Sequence, residues 1–298
     1  LKDMVCCCCK YFMTTLHTFG CSITQGFALP DVVKPAVDAK GRLLTQQEII
    51  DQGIHWSDIH LYQPSKYAWP QLLADRLKIP VINHARRGAC FQQISRQCAV
   101  AAKDIKPDDI VIVMWTYLNR LSLQWPSRTS VPFCNVVDPN WNWRTIILCA
   151  NRFFGLDRAS EKTQGQDREI QQYIEESSKY QLHPLGTYNR YHNNLVLQEM
   201  TAGFLRSTGA RVIHLSVEPE TELDQLELAR RDLDPSLQAP HQIPNPQDWY
   251  SLAVDHKSCW VILDPSIPPA ENDMHPSQQH HRNFADHIWK IYFGEATA

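Results

Sequence analysis

One stretch decides the fold of this 298-residue chain: Thr15-Leu16-His17-Thr18-Phe19-Gly20-Cys21-Ser22-Ile23-Thr24-Gln25-Gly26. Its first five residues are largely apolar or β-branched, and they predict a buried strand over 15–19. The glycine-flanked segment that follows predicts a tight turn, which places Ser22 at the carboxyl end of that strand. A serine in such a turn is a candidate nucleophile, and the competing interpretation is a strand-end turn without chemistry.

Four more apolar, β-rich runs predict buried strands, at 79–83, 109–115, 210–216 and 259–263. Their apolarity is continuous rather than alternating, which is typical of a parallel sheet covered on both faces. Helical patterns lie between and after them, at 69–77, 91–103, 191–207 and 277–292. The alternation predicts a three-layer α/β/α fold with a five-stranded, mainly parallel sheet, whose functional loops lie at the carboxyl ends of the strands.

The length suits one large domain with insertions. We expect a disordered extension over 1–13 and a single domain over 14–298. Three segments, 27–66, 121–190 and 217–258, have the character of insertions. Such segments act as lids or substrate walls, or are solvated elaborations without function. The second insertion carries two candidate helices, around Trp143–Phe154 and Arg168–Tyr180.

Composition excludes several classes of protein. Hydrophobic residues make up 43% and charged residues 20%, as in a soluble globular protein, and the net charge of −3 without a basic run gives no reason to expect nucleic acid. No apolar stretch reaches the ~18 residues of a membrane span, and Val5–Met13 is too short and interrupted for a secretory signal. A cytoplasmic location is therefore the expectation.

The ten cysteines do not predict a disulfide framework or a zinc site. Four are adjacent, Cys6 to Cys9, and the other six are scattered singly. Free thiols in a reducing compartment are the expectation. The adjacent run could accept acyl chains or bind a soft metal, although an unstructured extension is the interpretation that we favour.

A second short motif, Asn272-Asp273-Met274-His275-Pro276, lies near the other end of the chain. It places an acid and an imidazole on one late loop. With Ser22 it supplies a nucleophile, a base and a carboxylate that can orient the base. A metal site at this histidine-rich end is the rival hypothesis, but His280 and His281 point about 100° apart on a helix, and no carboxylate pair completes a ligand set. We therefore predict no metal.

These motifs resemble the conserved blocks of the SGNH (GDSL-like) hydrolases. The first block is matched by Gly20-x-Ser22-x-x-x-Gly26, the second by Val81–Gly88 and the last by Asp273-Met274-His275-Pro276, over about 15–120 and 190–292. The resemblance implies a flavodoxin-like sheet and a triad of Ser22, His275 and Asp273 that needs no cofactor. It also implies an oxyanion hole built from the backbone N–H groups of Ser22 and Gly88.

The chain departs from the family pattern at three points. Cys21 stands where the family usually has Asp, and Asp273 is two rather than three residues before the histidine, so that Asn272 occupies the usual position. The usual Gly-x-Asn-Asp block is replaced by Trp115-Thr116-Tyr117-Leu118-Asn119-Arg120. Asn119, Tyr117 and Thr116 are the candidates for the side-chain donor of the oxyanion hole, and the alternative is a weaker hole with backbone donors alone.

The resulting prediction is a serine hydrolase of carboxylic esters. By resemblance, the substrate is an acetyl or other short-chain ester, carried by a small molecule or a carbohydrate. An O-acyltransferase with the same triad and a binding protein with a decayed site are the alternatives. Nothing in the sequence predicts the oligomeric state.

Overall fold

The structure is a computed structural model that describes residues 14–34, 36–42, 44, 46–52, 59, 61, 63–117, 121–126, 143–149, 152–153, 184–217, 264–270 and 275–294. In chain order its strands are β1 (Leu16–Phe19), β2 (Val81–Asn83), β3 (Ile110–Trp115), β4 (Leu121–Pro126), β5 (Trp143–Cys149), β6 (Arg152–Phe153) and β7 (Arg211–Ser216). Its helices are α1 (Ser22–Gln25), α2 (Gln46–Asp51), α3 (Trp69–Leu77), α4 (Phe91–Ala101), α5 (Pro184–Arg206) and α6 (Gln278–Tyr292), with a 3-10 turn at Ala102–Asp104.

The main sheet is parallel, with the strand order β2-β1-β3-β7. Leu16 is paired with Val81 on one side and Ile110 on the other, and Ile110 is paired with Arg211. This confirms the predicted α/β fold with a parallel sheet. If the strands of this sheet alone are numbered along the chain, their order is 2-1-3-4, as in flavodoxin-like sheets. The described sheet has four strands rather than five, because the predicted strand at 259–263 lies outside the described residues.

The two central strands, β1 and β3, are buried apart from the first residue of β3, as their continuous apolarity predicts. Every residue of β1 is buried, and Val111 through Trp115 in β3 are all fully inaccessible. Helix α4 covers this sheet through Phe91, whose ring stacks on Trp115 with 5.0 Å between centroids. The site loops at the ends of β1 and β3 therefore start from rigid, closely packed positions.

A second, antiparallel sheet has the order β4-β5-β6, with Leu121 paired with Leu148 and Leu148 with Phe153. The helix predicted around Trp143–Phe154 was wrong, because this segment forms β5 and β6. The run Thr145-Ile146-Ile147 is β-branched, and such residues are restricted in helices but fit a pleated strand. The predicted helix at Arg168–Tyr180 lies outside the described residues.

The four predicted helices are present as α3, α4, α5 and α6, and three of them differ from the prediction in their bounds. Helix α5 begins at Pro184, several residues earlier than expected. In α6, Phe284 and Ile288 are buried, whereas Ile291, which follows Ile288 at helical spacing, is 39% exposed. Ser277 caps α6, and its N–H and hydroxyl both lie within hydrogen-bond distance of His280 Nδ1. Among the described helices, none is long and apolar enough to cross a membrane.

Candidate active site

Ser22 is the first residue of α1, directly after the turn that ends β1. Each of the two glycines in its motif is required for a different structural reason. A Cβ on Gly20 would lie 2.2 Å from Thr24 Oγ1 and 3.1 Å from the Met114 carbonyl oxygen, so no larger residue fits there. Gly26 ends α1 in the left-handed region at φ +77°, which L side chains rarely adopt. The motif thus folds as a one-turn helix that presents its first residue at the strand end.

The structure brings Ser22 and His275 together although 253 positions separate them in the chain. His275 Nε2 lies 2.9 Å from Ser22 Oγ, and the serine side chain is almost fully buried. His275 lies three residues before α6, and its carbonyl oxygen accepts a 2.8 Å hydrogen bond from Ala270 N–H. A neutral His275 that accepts the serine proton at Nε2 must carry its own proton on Nδ1.

Asp273 and Asn272, the two candidates to orient His275, lie outside the described residues. Asn119 does as well. Of the other two proposed oxyanion donors, Thr116 is fully buried at the end of β3, and Tyr117 packs against the main hydrophobic core. The sequence-based assignment of this third donor therefore stays a prediction.

Two hydrogen bonds tie the loop after β2 to the segment that carries Ser22, and a third lies within this loop. Asn83 Nδ2 donates to the Thr24 carbonyl oxygen at 2.9 Å, while its Oδ1 accepts from Ala85 N–H at 3.0 Å. Arg86 N–H donates to the carbonyl oxygen of Gly20 at 3.1 Å. Gly88, two residues further along, has φ +72°. The predicted oxyanion glycine thus belongs to a loop that is fixed to the loop of the predicted nucleophile.

Phe27 is a residue of this site that sequence reasoning missed. Its N–H donates to the Ser22 carbonyl oxygen at 2.9 Å, and its ring packs against the His275 imidazole with 4.8 Å between centroids. The Arg87 guanidinium lies 4.4 Å from the centroid of the same ring. The only sequence signal for Phe27 is its position directly after the motif's last glycine.

The other two histidines near the predicted base, His280 and His281, bond to backbone groups of neighbouring segments. His281 is completely buried, its Nδ1 accepts the Trp69 N–H at 3.2 Å, and burial, followed by the charges of His280 and His275, lowers its pKa to about 3. His280 Nε2 donates to the Asp264 carbonyl oxygen at 2.9 Å. Within the part of the chain that the structure describes, no cluster of three or more His, Cys, Asp or Glu residues could hold a metal ion.

No protein-family model and no curated protein sequence matches this chain. Solved structures are similar to it at low identity. A protein assigned to the lipolytic G-D-S-L family from Desulfitobacterium hafniense is 10% identical with a TM-score of 0.41, over 93% of this chain and 99% of that one. A member of the same lipolytic family from Veillonella parvula is 11% identical with a TM-score of 0.39, over 94% and 98% of the two chains.

An acetyl xylan esterase from Butyrivibrio proteoclasticus is also similar, at 11% identity and a TM-score of 0.40. The similarity covers 94% of this chain but 64% of the esterase, so this chain spans less than two thirds of that protein.

Proposed function

We propose that this protein is a serine hydrolase of carboxylic esters. The observation that carries the proposal is the 2.9 Å separation between Ser22 Oγ and His275 Nε2 at the carboxyl end of a parallel sheet. A serine hydroxyl is a weak nucleophile until a base within about 2.6–3.2 Å takes its proton. Two side chains at opposite ends of the chain meet at this distance, which is the geometry that acyl transfer needs.

The reaction would proceed in two halves. Ser22 Oγ attacks the ester carbonyl carbon as its proton passes to His275 Nε2, and the resulting tetrahedral intermediate collapses when the imidazolium protonates the leaving alcohol. Water then attacks the acyl-serine with His275 as its base, and the carboxylic acid is released. Asp273 would accept a hydrogen bond from the Nδ1–H group of His275 and stabilise the imidazolium in both halves.

The oxyanion would be held by the backbone N–H groups of Ser22 and Gly88. The hydrogen bonds from Asn83 and Arg86 to the Ser22 turn support this assignment, because they fix the position of the Gly88 loop relative to that of Ser22. Donors that are fixed before the reaction need no reorganisation when negative charge develops, which is the source of their effect.

The family resemblance of the motifs extends the proposal to an acetyl or other short-chain ester, on a small molecule or a carbohydrate. Transfer of the acyl group to another alcohol would use the same Ser22–His275 pair and differ only in the second half of the reaction. Release of alcohol in stoichiometric excess over acid, with an added acceptor alcohol present, would identify transfer.

The decisive experiment is covalent labelling with a fluorophosphonate probe, followed by identification of the modified peptide. We expect label on Ser22, loss of label in Ser22→Ala, and retained label in Ser207→Ala, a control serine whose hydroxyl bonds only to the Phe204 carbonyl oxygen on α5 among the described contacts. An unlabelled but folded wild-type protein would overturn the hydrolase proposal and favour a binding protein with a decayed site.

A further inference from the structure

Phe27 contacts both members of the Ser22–His275 pair. Its N–H donates to the Ser22 carbonyl oxygen, and its ring meets the imidazole of His275 at an angle of 60° with 4.8 Å between centroids. The side chain is 8% exposed, so the ring has little freedom to move. The left-handed conformation of Gly26 turns the chain back at the end of α1, and this reversal brings residue 27 alongside residue 22.

A further contact of the Phe27 ring comes from the loop after β2. The Arg87 guanidinium carbon lies 4.4 Å from the ring centroid, within the range of a cation–π interaction. Arg87 directly precedes Gly88, whose N–H is the proposed oxyanion donor. The ring of Phe27 therefore contacts both His275, the proposed base, and Arg87, the neighbour of the proposed oxyanion donor. The backbone N–H of Phe27 bonds to the proposed nucleophile, Ser22.

We propose that Phe27 is a positioning residue that sets the tilt of the His275 imidazole toward Ser22 Oγ. The proposal rests on the proposed hydrolase function. A hydrogen bond at Nδ1 still lets the imidazole pivot about that bond, whereas packing against a buried ring restricts the tilt of the ring plane. A small misplacement of reacting atoms is costly, since about 1 Å can lower a rate by roughly a hundredfold.

Phe27→Leu is the informative variant, because it keeps the backbone N–H and an apolar side chain but removes the flat ring. We expect its kcat to fall by roughly 10- to 100-fold while KM changes little. Phe27→Tyr keeps the ring and should retain most of the wild-type turnover. The matched control is Phe284→Leu, which removes a fully buried ring that meets Trp69 in the core. It should lower the melting temperature without the fall in kcat.

A magnetic resonance measurement separates failure of this proposal from failure of the hydrolase proposal. The His275 Cε1–H resonance, assigned by its loss in His275→Gln, should be displaced by the ring current of Phe27 and should move in Phe27→Leu but not in Phe284→Leu. This readout does not require turnover. If Ser22 cannot be labelled at all, the hydrolase proposal fails, and a resonance that still moves supports the packing of Phe27 on His275.

Three outcomes would overturn the positioning role. The first is an unchanged kcat in Phe27→Leu together with normal labelling of Ser22. The second is a His275 resonance that does not respond to loss of the ring. The third is a rise in KM at constant kcat, which would make Phe27 a wall of the substrate cleft instead.

Discussion

His17 and His84 form a stacked pair of imidazoles, with Nδ1 of His17 3.1 Å from Nε2 of His84 and an angle of 8° between the ring planes. His17 Nε2 faces Asp109 Oδ2 at 3.4 Å, so it carries a proton and leaves Nδ1 as an acceptor. His84 therefore donates a hydrogen bond from its Nε2–H group to Nδ1 of His17. Both rings are neutral in this arrangement.

Acid is expected to destabilise the protein through this pair. Burial, followed by the charge of His17, lowers the pKa of His84 to about 4, and burial also lowers the pKa of His17. Both folded-state pKa values lie below the ordinary value of about 6.5, so the unfolded chain takes up protons first. Their contribution to stability is complete above pH 6.5 and is lost as the pH falls below that value, and for His84 the loss continues to about pH 4.

Urea unfolding at a series of pH values between 7.5 and 4.5 would measure this effect. His84→Gln keeps a side-chain N–H that can donate to His17 but removes one titrating group. We expect the midpoint of this variant to fall less steeply with acidification, at an unchanged slope against urea. A midpoint that falls as steeply as in the wild type would contradict the assignment.

Gly20 and Gly203 should respond in opposite directions to the same substitution. A Cβ at Gly20 would overlap Thr24 Oγ1 at 2.2 Å, so Gly20→Ala should destabilise the fold by about 1–3 kcal/mol and displace the Ser22 turn. At Gly203, which is exposed on α5, nothing lies within 4 Å of the added atom. Gly203→Ala should stabilise the protein by about 0.5–1 kcal/mol, because alanine loses less backbone freedom in a helix. Measured free energies of unfolding of the two variants test the expected direction of each change. Equal changes in Gly20→Ala and Gly203→Ala would refute the steric explanation.

How far the sequence could predict this structure differs between the sheet and the site. The four described strands of the parallel sheet lie within two residues of their predicted bounds, because each was predicted from a continuously apolar run. The expected burial of β2 was wrong, since Ile82 in this edge strand is 46% exposed. The error at Trp143 arose because a short apolar run fits either a helix or a strand. Motif order also indicated that the Ser22 and His275 loops could meet at one edge of the sheet.

The side-chain partners of these motifs could not be predicted. Phe27 meets His275 only because Gly26 reverses the chain, and 248 positions separate the two residues, the difference between 275 and 27. His84 follows His17 by 67 positions, and such a spacing carries no periodic signal. Contacts of this kind depend on tertiary packing, which a single sequence does not show.

Asp273 is expected to orient His275 and to act with Ser22 as one unit. An amide in place of a triad carboxylate favours the wrong imidazole tautomer and has cost about 10⁴-fold in kcat elsewhere, so Asp273→Asn should be severely impaired and Asn272→Ala nearly unaffected. The double variant Ser22→Ala/Asp273→Asn should be no slower than Ser22→Ala alone, since these losses are not additive. The reverse order of severity, with circular dichroism unchanged, would assign the orienting role to Asn272.

The side-chain donor of the oxyanion hole is predicted to be Asn119. Backbone N–H groups at Ser22 and Gly88 supply two donors in the proposed site, and loss of a third typically costs a factor of about 10²–10³ in turnover. Asn119→Ala should therefore lower kcat by about a hundredfold with little change in KM, because the interaction strengthens only as charge develops on the substrate oxygen. Tyr117→Phe, which removes only a hydroxyl from a side chain packed on the core, is the matched control and should stay near wild type. A large effect in Tyr117→Phe and none in Asn119→Ala would move the donor to Tyr117, whereas no effect in either would leave the two backbone groups as the whole of the hole.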